Sequence, residues 1–273
     1  MSVLAQTRPV DEILVVADTM AAIDLPDDRR IRLLRVGPGA GANVGRQEGI
    51  RKSKCDVIAL LDDDDEWMPE KIAAQLALAE GTTGDWIGAS RVEARGLPSG
   101  TMIWPHRLIH PGEGLIDYLF RKHRVRGGTG FMQSSCLVFT RSLALAVTFD
   151  PTLRFHQDIG WLVDVAHARP DVPILQSPAA LSVYTVNPAT GSVSHQISAK
   201  DSIDWATRRL GRGAPRVLGD FILTHSIVLA QRAGSVAAVR DVRATAVRIG
   251  APGLPARIFA RIVLLRTLLG RSR

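Results

Sequence analysis

Cysteine is nearly absent from this chain: two thiols, Cys55 and Cys136, occur in 273 residues. Two cysteines set in apolar runs cannot frame a disulfide-stapled fold or a thiolate zinc site, so buried free thiols in a reducing compartment are expected. Long apolar runs are missing too. No window of about 18 apolar residues occurs, which removes a membrane-spanning helix. The opening stretch "MSVLAQTRPVDEILVV" lacks the basic-then-apolar pattern of a secretory signal. A cytoplasmic setting is therefore expected. Internal repeats and low-complexity segments are also lacking, which excludes solenoids and disordered linkers as the organising plan.

What is present is ordinary in bulk and uneven in detail. Hydrophobic residues make up 46% and charged residues 22%, proportions of a globular chain able to bury one large core or two small ones. The net charge of +7 is concentrated at one end. From Trp205 to Arg273 there are thirteen arginines against two acids, Asp220 and Asp241, a local balance of +11 that leaves −4 for the rest. A basic tail on a mildly acidic body points to an anionic counterpart, a membrane surface or nucleic acid. No nucleic-acid-binding motif accompanies the arginines, so nucleic acid is not the expected partner. "PARIFARIVLLRTLLGRSR" reads as a basic amphipathic helix, suited either to an anionic membrane or to packing on the domain with its arginines outward.

Along the chain, "EILVVAD" (12–18) reads as a buried strand ending on an acid. "RIRLLRVG" (30–37) reads as a second strand running into the loop "GPGAGANVG". "DVIALLDDDD" is apolar on both faces, as a central parallel strand should be. "MPEKIAAQLALAEG" reads as a helix with Pro69 in its first turn and Gly81 closing it. From Trp86 to about His123 the pattern weakens into short strands and turns. "GFMQSSCLVFTRSLA" predicts a strand and then a helix, "FHQDIGWLVDVAHA" a helix with an acid near its start, and the chain beyond Asp201 is helical. Strand, loop and helix in alternation argue for a doubly wound α/β sandwich.

The block Asp62–Asp65 repels itself unless something neutralises it. Acid runs are commonly solvated turns, but this one follows directly on an apolar strand, and ligands of open parallel sheets bind beyond the strands' carboxyl ends. Clustered carboxylates there suit Mg²⁺ or Mn²⁺, which also bridge to phosphates. Asp18 ends the earlier strand and is expected at the same edge. A metal–nucleotide pocket over a Gly-rich loop follows.

"DEILVVAD", "GANVGRQEGI" and "CDVIALLDDDDEWMPEKI" together, in order and spacing, resemble the nucleotide-sugar half of family 2 glycosyltransferases. The resemblance implies a GT-A type α/β/α sandwich with a Rossmann-like, mostly parallel sheet, followed here by a C-terminal helical extension. It divides the chain into a donor half (1–92), an acceptor half with the catalytic base (93–204) and a basic helical region (205–273). It makes Asp62 and Asp64 the Asp-x-Asp pair, with Asp64 the direct metal ligand and Asp62 shared between metal and ribose. Asp65 would be structural, capping the approach to the helix. Asp18 would accept a hydrogen bond from the nucleotide base, and Arg46 would lie near base or phosphates, with Gly45 and Gln47 in place of the family's Ala and Asn. Asp158 matches the second acid of a Glu-Asp pair and would be the general base; Gln157 stands for the Glu. An N-capping role is the structural alternative for Asp158.

The implied activity is metal-dependent transfer, with Mn²⁺ or Mg²⁺, from a nucleotide-diphosphate sugar to a saccharide or lipid-linked acceptor, with inversion, in making cell-surface polysaccharide or glycoconjugate. The chain also departs from the family. It opens inside the helix "SVLAQT", without the family's first strand, which leaves a truncated, non-catalytic nucleotide-sugar-binding relative as the alternative. Asn187 stands where a late metal-binding histidine is expected, and His195, eight residues on, is the possible substitute. Gly127, Gly128 and Gly130 would border the acceptor pocket or simply form a turn, and His156 adjoins the expected base.

Overall fold

Short apolar runs such as ILVVA (13–17) and VIA (57–59) set the first strands, and the segments between strands carry the helices. The computed structural model describes residues 2–97, 99–186, 197–211 and 213–270; Asn187 and His195 lie outside them. In chain order the elements are β1 (Ile13–Ala17), β2 (Ile31–Arg35), α1 (Ala42–Lys52), β3 (Val57–Ala59), β4 (Glu66–Trp67), α2 (Lys71–Leu78), β5 (Ile87–Arg95), β6 (Met102–Trp104), α3 (Leu115–Phe120), β7 (Val138–Thr140), α4 (Arg141–Ala146), α5 (Gln157–Ala168), β8 (Ile174–Thr185), α6 (Ala199–Leu210), α7 (Pro215–Phe221), α8 (Ile227–Arg232), α9 (Val236–Ile249) and α10 (Leu254–Leu268). They fall into two units, one of Met1–Trp104 with Met132–Thr190, the other of Pro105–Phe131 with Gly191–Arg273.

The first unit is an α/β body. β1 and β2 pair in parallel, Ile13 opposite Ile31 through Ala17 opposite Arg35. A six-stranded sheet has the order β3-β7-β5-β8-β4, with β6 on β5. It is mixed rather than mostly parallel: β5 and β8 run parallel, while β3–β7, β5–β7, β4–β8 and β5–β6 are antiparallel. The expected central parallel strand is thus corrected. β3 spans only three half-buried residues and pairs antiparallel with β7 alone. Apolar residues on both faces report burial, not the direction of a neighbour. The centre belongs to β5, whose Ile87, Ala89, Val92 and Ala94 are buried, and to the twelve-residue β8. The pattern hides β8 because Pro178 interrupts it, and Pro178 sits where the β5–β8 register shifts between Ser90 and Arg91. A bulge is where a strand tolerates proline.

Helices start later or earlier than the pattern indicates. Half of the "GPGAGANVG" loop is already α1, which begins at Ala42. Gly45 and Gly49 turn toward Val16 of β1, where a Cβ on Gly49 would stand 3.2 Å from Val16 Cγ2, so the glycines let helix and strand approach. On the neighbouring face Asn43 Nδ2 donates to Asp150 O (2.8 Å), while Gln47 Oε1 accepts from Phe149 N (2.9 Å). The predicted helix at 68–81 is shorter: Pro69 precedes Glu70, its N-cap. The opening residues 2–5 form turns, not helix. Gln6 then caps α2 from outside, its Oε1 accepting from Ile72 N (3.1 Å), and Val3 packs with Ile13, Trp67 and Ile72. Cys136 is buried and free as expected; Cys55 is free but only half-buried.

Lys71 is fully buried in α2. Its Nζ donates to Gln75 Oε1 and sits 4.8 Å over the Trp67 ring. Desolvation pushes its pKa down to about 7. An unfolded lysine holds its proton to about 10.5, so between those values the unfolded chain binds the extra proton and stability rises with pH. Lys71→Met is expected to flatten the rise of melting temperature between about pH 7 and pH 10; a variant with the parent's slope would contradict the burial argument.

The second unit is helical. Phe120, Trp205, Phe221 and His225 form its aromatic core, with Phe221 stacked on His225 at 4.6 Å. Burial and the nearby Lys122 charge push His225 down to about 4. The buried Asp220 carboxylate accepts from Lys122 N (3.0 Å), Arg216 Nε (2.9 Å) and Gly253 N (2.8 Å). A π-turn, Ile222–Ser226, joins α7 to α8. The Gly127–Gly130 turn also lies here. A Cβ on Gly130 would meet the Tyr118 ring at 2.4 Å, so this glycine serves packing whatever ligand is near.

Candidate active site

Asp18 follows directly after β1. Both its oxygens are engaged: Oδ1 accepts from Ala40 N (2.8 Å) and Oδ2 from Gly41 N (2.7 Å). These backbone donors hold its pKa below the usual carboxylate range, although the side chain is exposed. The loop can wrap the carboxylate because Gly39 and Gly41 adopt φ of 83° and 94° and because a Cβ on Gly37 would lie 2.1 Å from Asp18 Oδ1. Arg154 Nη1 closes the loop on Ala40 O (2.8 Å).

Arg46, one turn into α1, gathers the other residues. Its Nη2 donates to Asp62 Oδ1 (2.7 Å), and its Nη1 to Asn43 Oδ1 (3.1 Å) and Gln157 Oε1 (3.2 Å). Gln157 is fixed in turn through Nε2 to Leu153 O (3.0 Å). A glutamate there would set a further charge beside Asp158; the amide reaches the guanidinium without it.

Asp158 is the second residue of α5, and the N-cap is His156, so the capping alternative does not describe it. His156 takes a left-handed backbone, φ 52°, one residue before the helix, a conformation that costs a non-glycine residue energy and is concentrated at functional sites. Asp158 Oδ1 accepts from Ile159 N (2.8 Å). Desolvation raises its pKa first and the Asp62 charge adds to that, while the Arg46 charge lowers it. Asp62, Arg46, Gln157 and Asp158 therefore form one electrostatic cluster.

The aspartate block divides by role. Asp65 is buried, accepting from Gln133 Nε2 (2.6 Å) and Thr185 N (3.1 Å); it ties the turn to β8 and does not cap α2. Ser135 anchors the same turn: its Oγ accepts from Asp62 N (3.0 Å), and its carbonyl accepts from Trp67 Nε1 (3.1 Å) and Ser182 Oγ (2.9 Å). Asp64 is exposed, and its pKa is raised by desolvation and then by Asp63 and Asp62. Asp64 is thus an exposed carboxylate lifted first by desolvation and then by like charges, and its neighbour Asp62 is held by an arginine. Among the described residues no group of three or more His, Cys, Asp or Glu side chains is arranged to hold a metal ion. Two carboxylates still fit Mg²⁺ or Mn²⁺, which keep waters and take the remaining ligands from substrate phosphates.

Three contributors escape a reading of the sequence. Ser135 and Gln133 stand in "GFMQSSC", where small polar residues before an apolar run were the only signal. Tyr184 in β8 lies among the acids: burial raises its pKa first, then Asp65, Asp158, Asp64 and Asp62.

Known proteins resemble this chain in sequence over its first half and in fold. Residues 1–146 match the family model described as glycosyl transferase family 2. The amylovoran biosynthesis glycosyltransferase AmsB of Erwinia amylovora is 33% identical over 124 residues, covering 44% of this chain and 38% of AmsB; the chain thus spans well under half of that relative. S. aureus TarS 1–349, solved in complex with UDP-GlcNAc, superposes with a TM-score of 0.55 at 13% identity, over 99% of this chain and 82% of that one. A second TarS structure gives 0.52 at 12% identity, over 98% of this chain and 49% of that one. The shared fold is the GT-A type α/β architecture, followed here by C-terminal helices.

Proposed function

The chain belongs to glycosyl transferase family 2, and on that premise we propose that it moves a sugar from a nucleoside-diphosphate sugar to an acceptor hydroxyl by single displacement with inversion. The product would be a cell-surface polysaccharide or glycoconjugate, built on a saccharide or lipid-linked acceptor by a cytoplasmic enzyme. The observation that carries this is the cluster of Arg46, Asp62, Gln157 and Asp158, which sets a fixed cation and a desolvated carboxylate beside the Asp62–Asp64 pair. Residues 1–92 hold the donor in this reading, and 93–204 the acceptor and the base.

Asp64 and Asp62 would hold the divalent ion; when bound, it supplies Lewis-acid stabilisation of the charge on the departing diphosphate. Arg46 adds a preorganised positive charge at the same place. Asp158 takes the acceptor proton as the acceptor oxygen bonds to the anomeric carbon and the bond to the diphosphate oxygen breaks. Its raised pKa suits that role, because a carboxyl that is harder to deprotonate in the apo site is a stronger base once ionised. Asp18 keeps the glycine loop in place and in this reading would accept a hydrogen bond from the nucleotide base.

Release of nucleoside diphosphate, followed across a panel of nucleotide sugars with Mn²⁺ and a saccharide acceptor mixture, tests the reading. One donor is expected to turn over, and EDTA is expected to stop it. Turnover undiminished by EDTA would remove the metal from the account and leave Arg46 as the cation.

A further inference from the structure

α10 packs on the helical unit by its small side. Ala256, Ala260, Val263 and Thr267, spaced four, three and four apart, are the buried stripe. The opposite stripe is apolar and open to solvent: Leu254 is 70% exposed and Leu265 57%, with Ile262 between them, and the C-cap Leu269 just beyond the helix is 70% exposed. A helix that buries alanines and presents leucines has its larger apolar face turned the wrong way for folding alone. At 3.6 residues per turn, Arg257 and Arg261 fall on one flank of the leucine stripe and Arg266 on the other. Among the described residues no carboxylate pairs with Arg261 or Arg266, and α10 contains no acid. In α9, Val247 is 57% exposed next to the exposed Arg248.

We propose that this face of α10 is a docking surface for an anionic lipid bilayer, its leucines entering the boundary between headgroups and acyl chains and its arginines meeting lipid phosphates. Charge complementarity selects the partner. The region from Trp205 carries +11, which a neutral or basic protein surface would not satisfy. A nucleic acid would satisfy the arginines but leave the leucines in water. Among the described residues no helix is long and apolar enough to cross a membrane, so the contact lies in the plane of the interface, where apolar area and basic charge act together.

Co-sedimentation of the full chain with phosphatidylcholine vesicles, with and without phosphatidylglycerol, tests this. Binding is expected only with phosphatidylglycerol and is expected to weaken with salt. Replacing Arg257, Arg261 and Arg266 together by Gln should lower partitioning by about a hundredfold, roughly fivefold per arginine. Leu265→Ser with Leu269→Ser should lower it by about tenfold or more, with an unchanged melting temperature because both side chains are exposed. Leu265→Lys separates the two contributions: it adds a cation, yet should bind less. No binding to anionic vesicles, tighter binding by Leu265→Lys, or salt-dependent binding to duplex DNA that competes fully with vesicles would each overturn the proposal. The assay contains neither donor nor acceptor, so its failure would leave the proposed transfer standing.

Discussion

Asp158→Asn is expected to bind the donor nucleotide as the parent does and to lose about 10²–10⁴-fold in kcat, the usual contribution of a positioned base. The substitution keeps the shape at the second position of α5, and the Ile159 N contact can be made by an amide oxygen, so stability at neutral pH should not fall and should rise where the desolvated carboxylate is ionised. The pH profile gives a second reading of the same residue. Desolvation and the Asp62 charge raise the Asp158 pKa, so kcat/KM should fall on the acid side with a limb above the ordinary aspartate range, because the protonated carboxyl cannot accept the acceptor's proton. Arg46 lowers that pKa, so Arg46→Gln should shift the limb to higher pH. Folding responds in the matching direction: a carboxyl whose native pKa is raised favours the folded state most when protonated, so its contribution declines as pH rises from the unfolded value through the native one. Full transfer by Asp158→Asn would remove it as the base.

The second large effect concerns the aspartate pair. Asp62→Asn and Asp64→Asn should each weaken Mn²⁺-dependent binding of the nucleoside diphosphate by about a hundredfold or more, since even outer-shell partners of a metal cost 10- to 100-fold. The two variants should differ in stability. Asp64 is exposed, so its variant should melt with the parent. Asp62 is the ion-pair partner of Arg46, so its variant leaves a mostly buried guanidinium short of a carboxylate and should melt earlier, as an unpaired buried charge is costly. Calorimetric titration with and without Mn²⁺ checks both. Equal affinity of Asp64→Asn and parent for the metal-bound nucleotide would exclude Asp64 as a ligand.

Local signals carried most of what the sequence could tell. "EILVVAD" places Asp18 directly after β1, the apolar run before Asp62 ends at the acid turn, and "QDIGWLVDVAHA" carries Asp158 in the first turn of α5, because each is a short apolar pattern bounded by a charge. What failed depends on distant partners. The direction of β3 is set by β7, about 80 residues later. The centrality of β8 was hidden by Pro178, tolerated only because of a bulge opposite β5. The Arg46–Gln157 contact joins residues 111 apart, and Tyr184 meets the acids only through β8. The composition of α10 could not tell its leucine face from its alanine face, since either could have packed inward.

Thermal melting with UDP, GDP and dTDP, each with and without Mn²⁺, tests the proposed metal-dependent nucleotide site at Asp62 and Asp64. A ligand at about a hundred times its dissociation constant adds about 2.7 kcal/mol, enough to raise the melting temperature by several degrees in a chain of this size. Such a rise is expected with one nucleotide, only when Mn²⁺ is present, and none in Asp64→Asn. Unchanged melting with every nucleotide, with and without the metal, would contradict it.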